Sequence, residues 1–234
     1  MKELRAIFFD VGNTLIYAHP SVSEVCRQVL AEAGHVRDLS VIDSYMPLLN
    51  AYYEDRYRAD DTFWTSEEQT SEVWVGMYSM LCRRLDIHED AAVLARAVYD
   101  QFERADRWRL YDDVRPAFER ARGRGLRLGI ISNWDSRLVR LMDALGISSL
   151  LDTVVSSADV GLRKPDPRIF ELACARVGAS PEESAHVGDH LYADVLGASA
   201  AGMRAVLIDR HGTHDEEGPA PIRTLDELES ALGL

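Results

Sequence analysis

Lysine is almost missing from these 234 residues. Lys2 and Lys164 are the only two among 26 basic side chains, so arginine carries nearly all the positive charge. A residue used so rarely draws notice where it does occur, and Lys164 stands inside a polar phrase flanked by proline. Positive charge as a whole is also short: the formal net charge is −13. That excess argues against a surface built to hold nucleic acid or an anionic membrane. A small phosphorylated ligand remains compatible, since a few local positive groups can outweigh a distant, screened field. Cysteine is scarce as well. Cys26, Cys82 and Cys174 stand far apart and match no metal-ligand spacing. An odd, sparse set suits a reducing compartment, with each thiol a small buried hydrophobe. There is no long apolar run: the burst from Ala6 to Phe9 is too short for a signal segment and far too short to span a bilayer. These absences predict a cytoplasmic chain with neither a membrane nor a nucleic acid as partner. They leave its oligomeric state open.

What the chain does have is a series of short, nearly continuous apolar runs with helical patterns between them. The runs are Leu4–Phe9, Leu126–Ile131, Thr153–Val155, Ala185–Val187 and Ala205–Ile208. Runs this short, bounded by Gly, Asp or Ser, predict strands buried on both faces of a parallel sheet. Pro116–Arg124, Ser136–Leu145, Pro167–Val177 and Tyr192–Ala201 suit the crossover helices. The expected fold is therefore a doubly wound α/β sheet, mainly parallel, with its ligand crevice at the carboxyl ends of the strands. A long insertion follows the first strand. Its helical segments are Val22–Ala33, Val41–Tyr57, Glu67–Leu85 and Asp90–Ala105, and Ser66 ahead of Glu67, Glu68 and Gln69 reads as an N-cap with an acidic first turn. The organisation predicted is an α/β core of residues 1–16 and 110–234 with an all-helical domain, 17–109, inserted on the crevice side.

Polar residues cluster where the strands end. Asp10 closes the first, followed by Val11-Gly12-Asn13-Thr14. Ser132-Asn133 closes the second, Lys164 precedes Pro165-Asp166-Pro167, and Gly188-Asp189 closes the fourth with Asp194 five residues on. Parallel strands end at one edge, so these groups are expected to converge. A carboxylate can serve as a covalent nucleophile and split ester hydrolysis into two easier steps. Crowded carboxylates repel, and a hard divalent cation removes that cost while neutralising substrate charge. Magnesium is suited to one or two carboxylates plus phosphate oxygens and water. Lys164, Ser132 and Asn133 would then hold the remaining phosphoryl oxygens.

Taken in order, these motifs resemble the haloacid dehalogenase (HAD) superfamily, subfamily I. Asp10 to Thr14 is similar to its first motif, Ser132 to the second, Lys164 to the third, and Asp189 with Asp194 to the fourth. The phrases Val160-Gly-Leu-Arg-Lys-Pro-Asp-Pro-Arg-Ile-Phe170 and His186-Val-Gly-Asp189 carry the likeness across the core. The resemblance implies a Rossmann-like core with a helical C1 cap and a hydrolase acting on a small phosphorylated substrate with Mg²⁺. It implies Asp10 as nucleophile and metal ligand, Ser132 as phosphate binder, and Lys164 steadying both nucleophile and phosphoryl group. Asp189 would be a metal ligand, Asp194 its support, and Gly12 the donor of a backbone carbonyl to the metal.

One position departs from the pattern. Family phosphatases usually carry a second aspartate two residues after the nucleophile, as general acid and base, and here Gly12 occupies it. Asn13 stands where glycine is usual, and Asn tolerates positive φ better than most residues. Three readings follow: a phosphatase that relies on another group, water or activated esters; a metal-independent 2-haloacid dehalogenase; or a weakly active module that binds a ligand or partner. A phosphonate hydrolase with a Schiff-base lysine in its cap is disfavoured, because no lysine lies between Lys2 and Lys164. The aromatics of the insertion, including Phe63 and Trp64, read mostly as packing. His190 suits either substrate contact or a helix cap. His211 and His214 are expected in solvent.

Overall fold

Five of the apolar runs pair into one sheet. In the computed structural model, which describes residues 2–213 and 219–234, they form β1 (Ala6–Phe9), β4 (Arg127–Ser132), β5 (Thr153–Ser156), β6 (Ser184–Gly188) and β7 (Arg204–Leu207). The order is β5-β4-β1-β6-β7, and every pairing is parallel. All five strands lie within two residues of the segments expected from sequence. β1 is central: the chain winds from it to β4 and β5 on one side, then to β6 and β7 on the other. The switch in winding direction therefore falls at the carboxyl end of β1, where Asp10 stands.

Consecutive strand residues point to opposite faces, and β1 shows both faces covered. Phe9 packs on Phe118 of the helix Val114–Gly123, with ring centroids 4.8 Å apart. Phe8 joins Ile131, Val155 and Phe170 of the helix Pro167–Val177 in a separate cluster. Burying side chains of this size is worth roughly 1.5–3 kcal/mol each. Asp166 caps the Pro167–Val177 helix by accepting from Arg168 N, Pro167 opens it, and Gly178 at φ 69° closes it.

Two compact units divide the chain: Met1–Tyr17 with Leu110–Leu234, and Ala18–Arg109. The second is built from the helices Val22–Glu32, Leu39–Asp43, Met46–Ala59, Glu67–Arg84 and Ala91–Gln101. Its core gathers Cys26, Leu30, Leu81, Ala95 and Val98, and a smaller cluster holds Tyr57, Phe63, Trp64 and Val73. Phe63 and Trp64 are thus packing residues. Ser66 caps the longest helix as expected, accepting from Gln69 N. The single helix expected over Val41–Tyr57 is instead two. Pro47 has no N–H to continue a helix but suits the first turn of a new one, so the chain stops at Asp43 and restarts at Met46. Two short strands lie outside the expectations, β2 (Ile16–Ala18) and β3 (Trp108–Leu110), which pair with each other. Three residues are too few to show a period.

All three cysteines are free and buried. Burial pushes the Cys26 thiol up to about 12 and the Cys82 thiol up to about 11, which leaves them inert at neutral pH. Among the described residues, no helix is long and apolar enough to cross a membrane.

Candidate active site

The carboxyl ends of β1, β4 and β6 and the segment that follows β5 deliver the parts of the site, and all parts belong to the α/β unit. Asp10 follows β1 and is held by the bond from its N–H to Val187 O, 2.8 Å. Ser132, the last residue of β4, donates its hydroxyl to Asp10 Oδ1 at 2.9 Å. Lys164 reaches the same oxygen with its ammonium at 2.5 Å and Asp194 Oδ1 at 2.5 Å. Both Lys164 and Asp194 are almost wholly buried, at 2% and 1% exposure. Asn133 clamps the Lys164 backbone: its Nδ2 donates to Lys164 O at 3.0 Å, and its Oδ1 accepts from Lys164 N at 2.8 Å. The expectation for Asn133 was substrate contact. Its observed contacts instead fix the main chain that carries the ammonium, because both ends of the amide face that backbone.

Asp194 sits deeper than an aspartate that merely complements a helix dipole. Beyond Lys164, its Oδ1 lies 2.8 Å from His186 Nε2, and its Oδ2 accepts from His190 N at 3.0 Å. The segment expected to be one helix over Tyr192–Ala201 starts as a π-helical turn, Leu191–Leu196, before the α-helical Gly197–Ala200. His190 O receives both Asp194 N and Val195 N, and this wider turn carries Asp194 inward. Gly188 makes the room. A Cβ there would lie 2.2 Å from Asp194 Cγ, so only glycine permits the approach. His190 Nδ1 accepts from Ala193 N at 3.1 Å, so of its two expected roles the helix cap is the one observed.

One carboxylate oxygen from each of Asp10, Asp189 and Asp194 falls within 4.8 Å of the other two. Burial and the charges of Asp10 and Asp194 push the Asp189 carboxyl well above the usual range, against the opposing pull of Lys164. Burial works against the Lys164 ammonium, but Asp10 and Asp194 overcome it and hold its pKa above normal. Burial likewise opposes the Asp194 carboxylate, and Lys164 and His186 overcome that to hold it below normal. One cation for three acids leaves surplus negative charge. A cluster of oxygen donors with that surplus fits a hard divalent ion.

The loop after Asp10 is closed by Val11 O, which accepts from Leu15 N and Ile16 N, and by Ile16 O, which accepts from Asn13 N. None of these bonds uses the Gly12 carbonyl. Asn13 takes φ 51°, as its tolerance for positive φ predicts, and its Nδ2 lies 3.4 Å from Asp189 Oδ2. A Cβ on Gly12 would meet only Trp134 Cζ3, at an ordinary 3.7 Å. His211 is exposed, with Nε2 3.4 Å from Tyr111 OH, and His214 lies outside the described residues. Sequence reasoning passed over His186. Its signal was there, a titratable residue inside a strand otherwise made of small and apolar side chains.

A family model described as haloacid dehalogenase-like hydrolase matches residues 4–202. The chain belongs to this family. As a HAD hydrolase it is 40% identical over 230 residues to a phosphoserine phosphatase of Thermus thermophilus, covering 88% of this chain and 89% of that protein. Its fold is similar to that of the HAD-hydrolase YfnB of Bacillus subtilis bound to magnesium, with a TM-score of 0.79, 20% identity and full coverage of both chains. It is also similar to the L-2-haloacid dehalogenase RSc1362, with a TM-score of 0.70, 23% identity and full coverage of both chains. One fold thus serves both phosphatase and dehalogenase, and only the side chains can separate them.

Proposed function

We propose that this HAD hydrolase is a magnesium-dependent phosphatase that acts on a small phosphorylated metabolite through an aspartyl-phosphate intermediate on Asp10, with the inserted helical unit as its cap. The observation that carries the reading is the arrangement around Asp10. Its Oδ1 is held by Ser132 and Lys164, its Oδ2 has no partner among the described residues, and one oxygen of the carboxylate lies within 4.8 Å of oxygens of two further carboxylates. A metal-free dehalogenase has no use for that acid cluster. Asp10, the Gly12 carbonyl and Asp189 would hold Mg²⁺, with Asp194 in support, and the ion supplies neutralisation of the phosphoryl charge. Asp10 Oδ2 forms a bond to phosphorus as the bond to the leaving oxygen breaks, and that oxygen takes its proton from water. Water then attacks phosphorus, the bond to Oδ2 breaks, and phosphate and a proton are released. Ser132 and Lys164 bind phosphoryl oxygens in both steps.

The named relative makes O-phosphoserine the first metabolite to try. Hydrolysis of p-nitrophenyl phosphate is expected to require Mg²⁺ and to vanish in Asp10→Asn, because an amide is a poor nucleophile. Chloride release from a 2-haloacid without metal, together with no release of phosphate, would reverse the assignment in favour of a dehalogenase, the chemistry that needs no proton donor at Gly12.

A further inference from the structure

His186 lies at the middle of β6 with no exposed surface, and among the described residues its side chain makes one hydrogen bond, with Asp194. Residues two apart on a strand share a face, so His186 and Gly188 look the same way. Gly188 supplies the space into which the Asp194 carboxylate descends, and His186 supplies a hydrogen-bonding atom at its floor. Asp194 Oδ1 already accepts an ammonium proton from Lys164, and a carboxylate so engaged only accepts. The imidazole must therefore present Nε2–H to it. The other ring nitrogen, Nδ1, is buried and has no hydrogen-bond partner among the described residues. An imidazole that leaves a buried nitrogen unmatched is an expensive way to fill a strand position that a leucine would fill without that cost. Such a group stays where its single bond has a purpose. Phe170 presses edge-on against the ring, with centroids 5.2 Å apart, which fixes its direction.

We propose that His186 is a positioning residue: by donating Nε2–H to Asp194 Oδ1 from the strand below, it orients the carboxylate that holds the Lys164 ammonium beside Asp10. Three donors from three elements meet Asp194: His186 of β6, Lys164 of the loop after β5, and His190 N at the start of the π-helical turn. Removing the floor donor lets the carboxylate rotate, and the ammonium shared between Asp194 and Asp10 follows it. The effect therefore falls on the chemical step and on the acid cluster, and less on binding of the organic part of the substrate. Groups that orient ligands in this way typically matter about 10–100-fold.

The proposal rests on the phosphatase reading, and the test separates the two. His186→Leu keeps the volume and removes the donor, while His186→Gln returns an N–H near the place of Nε2. With p-nitrophenyl phosphate and saturating Mg²⁺, His186→Leu should lower kcat about 10–100-fold with KM nearly unchanged, and His186→Gln should recover most of it. Calorimetric titration of Mg²⁺ alone into each protein should show weaker binding in the leucine variant and restored binding in the glutamine variant. Nitrogen-15 NMR of the wild type should find the His186 proton on Nε2. Wild-type kcat and Mg²⁺ affinity in a folded leucine variant would overturn the proposal, as would a folded glutamine variant no better than leucine. A proton found on Nδ1 alone would also overturn it, and this stands as the test if the leucine variant does not fold. A wild type inactive on every phosphate ester would sink the phosphatase reading alone, with Mg²⁺ affinity and the NMR signal still deciding for or against His186.

Discussion

Two glycines matter at the scale of single residues, for opposite reasons. At Gly12 a side chain is missing where the mechanism would use one, and the backbone would accept it: φ is outside the left-handed region and the nearest atom to a Cβ is 3.7 Å away. Without a proton donor there, hydrolysis should slow steeply as the leaving oxygen becomes more basic. Gly12→Asp is expected to raise turnover of alkyl phosphates such as O-phosphoserine by up to about 10²–10⁴-fold and of aryl phosphates much less. A rate series across leaving groups checks this, and a flat wild-type series would mean that another group already delivers the proton. Gly188 cannot take a side chain at all, because Asp194 occupies its space. Gly188→Ala should cost about 1–3 kcal/mol in urea unfolding and displace Asp194, lowering kcat with it. Gly12 was legible in the sequence by its place after Asp10. The requirement at Gly188 was not, since it comes from a residue six positions away that the π-helical turn brings back.

At the scale of elements, strand ends are pinned by charged hydrogen bonds as well as by apolar burial. Asp152, just before β5, accepts from Leu128 N of β4 at 2.9 Å, from Arg127 at 2.8 Å and from Arg122 of the Val114–Gly123 helix at 2.6 Å. Burial would raise its carboxyl, but the backbone N–H and the two guanidiniums outweigh that and hold it below the usual range. A depressed carboxyl contributes stability that is present above the unfolded value of about 3.9 and is lost as pH falls through the folded value. Asp152→Asn should therefore destabilise the protein at pH 7 by about 1–3 kcal/mol. The gap between variant and wild type should close in acid, and a gap constant from pH 7 to pH 2 would refute the pinning. Helices and strands were readable because their apolar periods are long enough to count. The break at Met46 and the β2–β3 pair were harder, one needing Pro47 weighed against a continuous pattern, the other having no period.

For the whole molecule, whose net charge is −13, three of the carboxylates, Asp10, Asp189 and Asp194, meet a single lysine at one edge of the sheet. A ligand that binds only the folded state stabilises it by mass action, about 2.7 kcal/mol at a hundred times its Kd. Mg²⁺ at that excess should raise the thermal midpoint of the wild type. Asp189→Asn should melt higher than wild type in EDTA, since one crowded charge is gone, and should lose most of the rise on adding Mg²⁺. Equal midpoints for both proteins in EDTA, with equal shifts on adding Mg²⁺, would remove Asp189 from the metal site.

By itself the sequence determined the five strands of the sheet, most of the helices and the edge at which polar residues gather, because apolar period and strand-end position are local properties. Asp10 and Ser132 could be named from their strand-end positions, and Lys164 from its scarcity and the family phrase around it. Only the tertiary structure decided what each one touches. Asn133 holds the Lys164 backbone, His190 caps a helix, and Asp194 rests between Lys164 and His186. Such contacts join residues up to 31 positions apart, and their partners are chosen by strand order and by the space Gly188 leaves. Neither of those is written in the neighbourhood of any one residue.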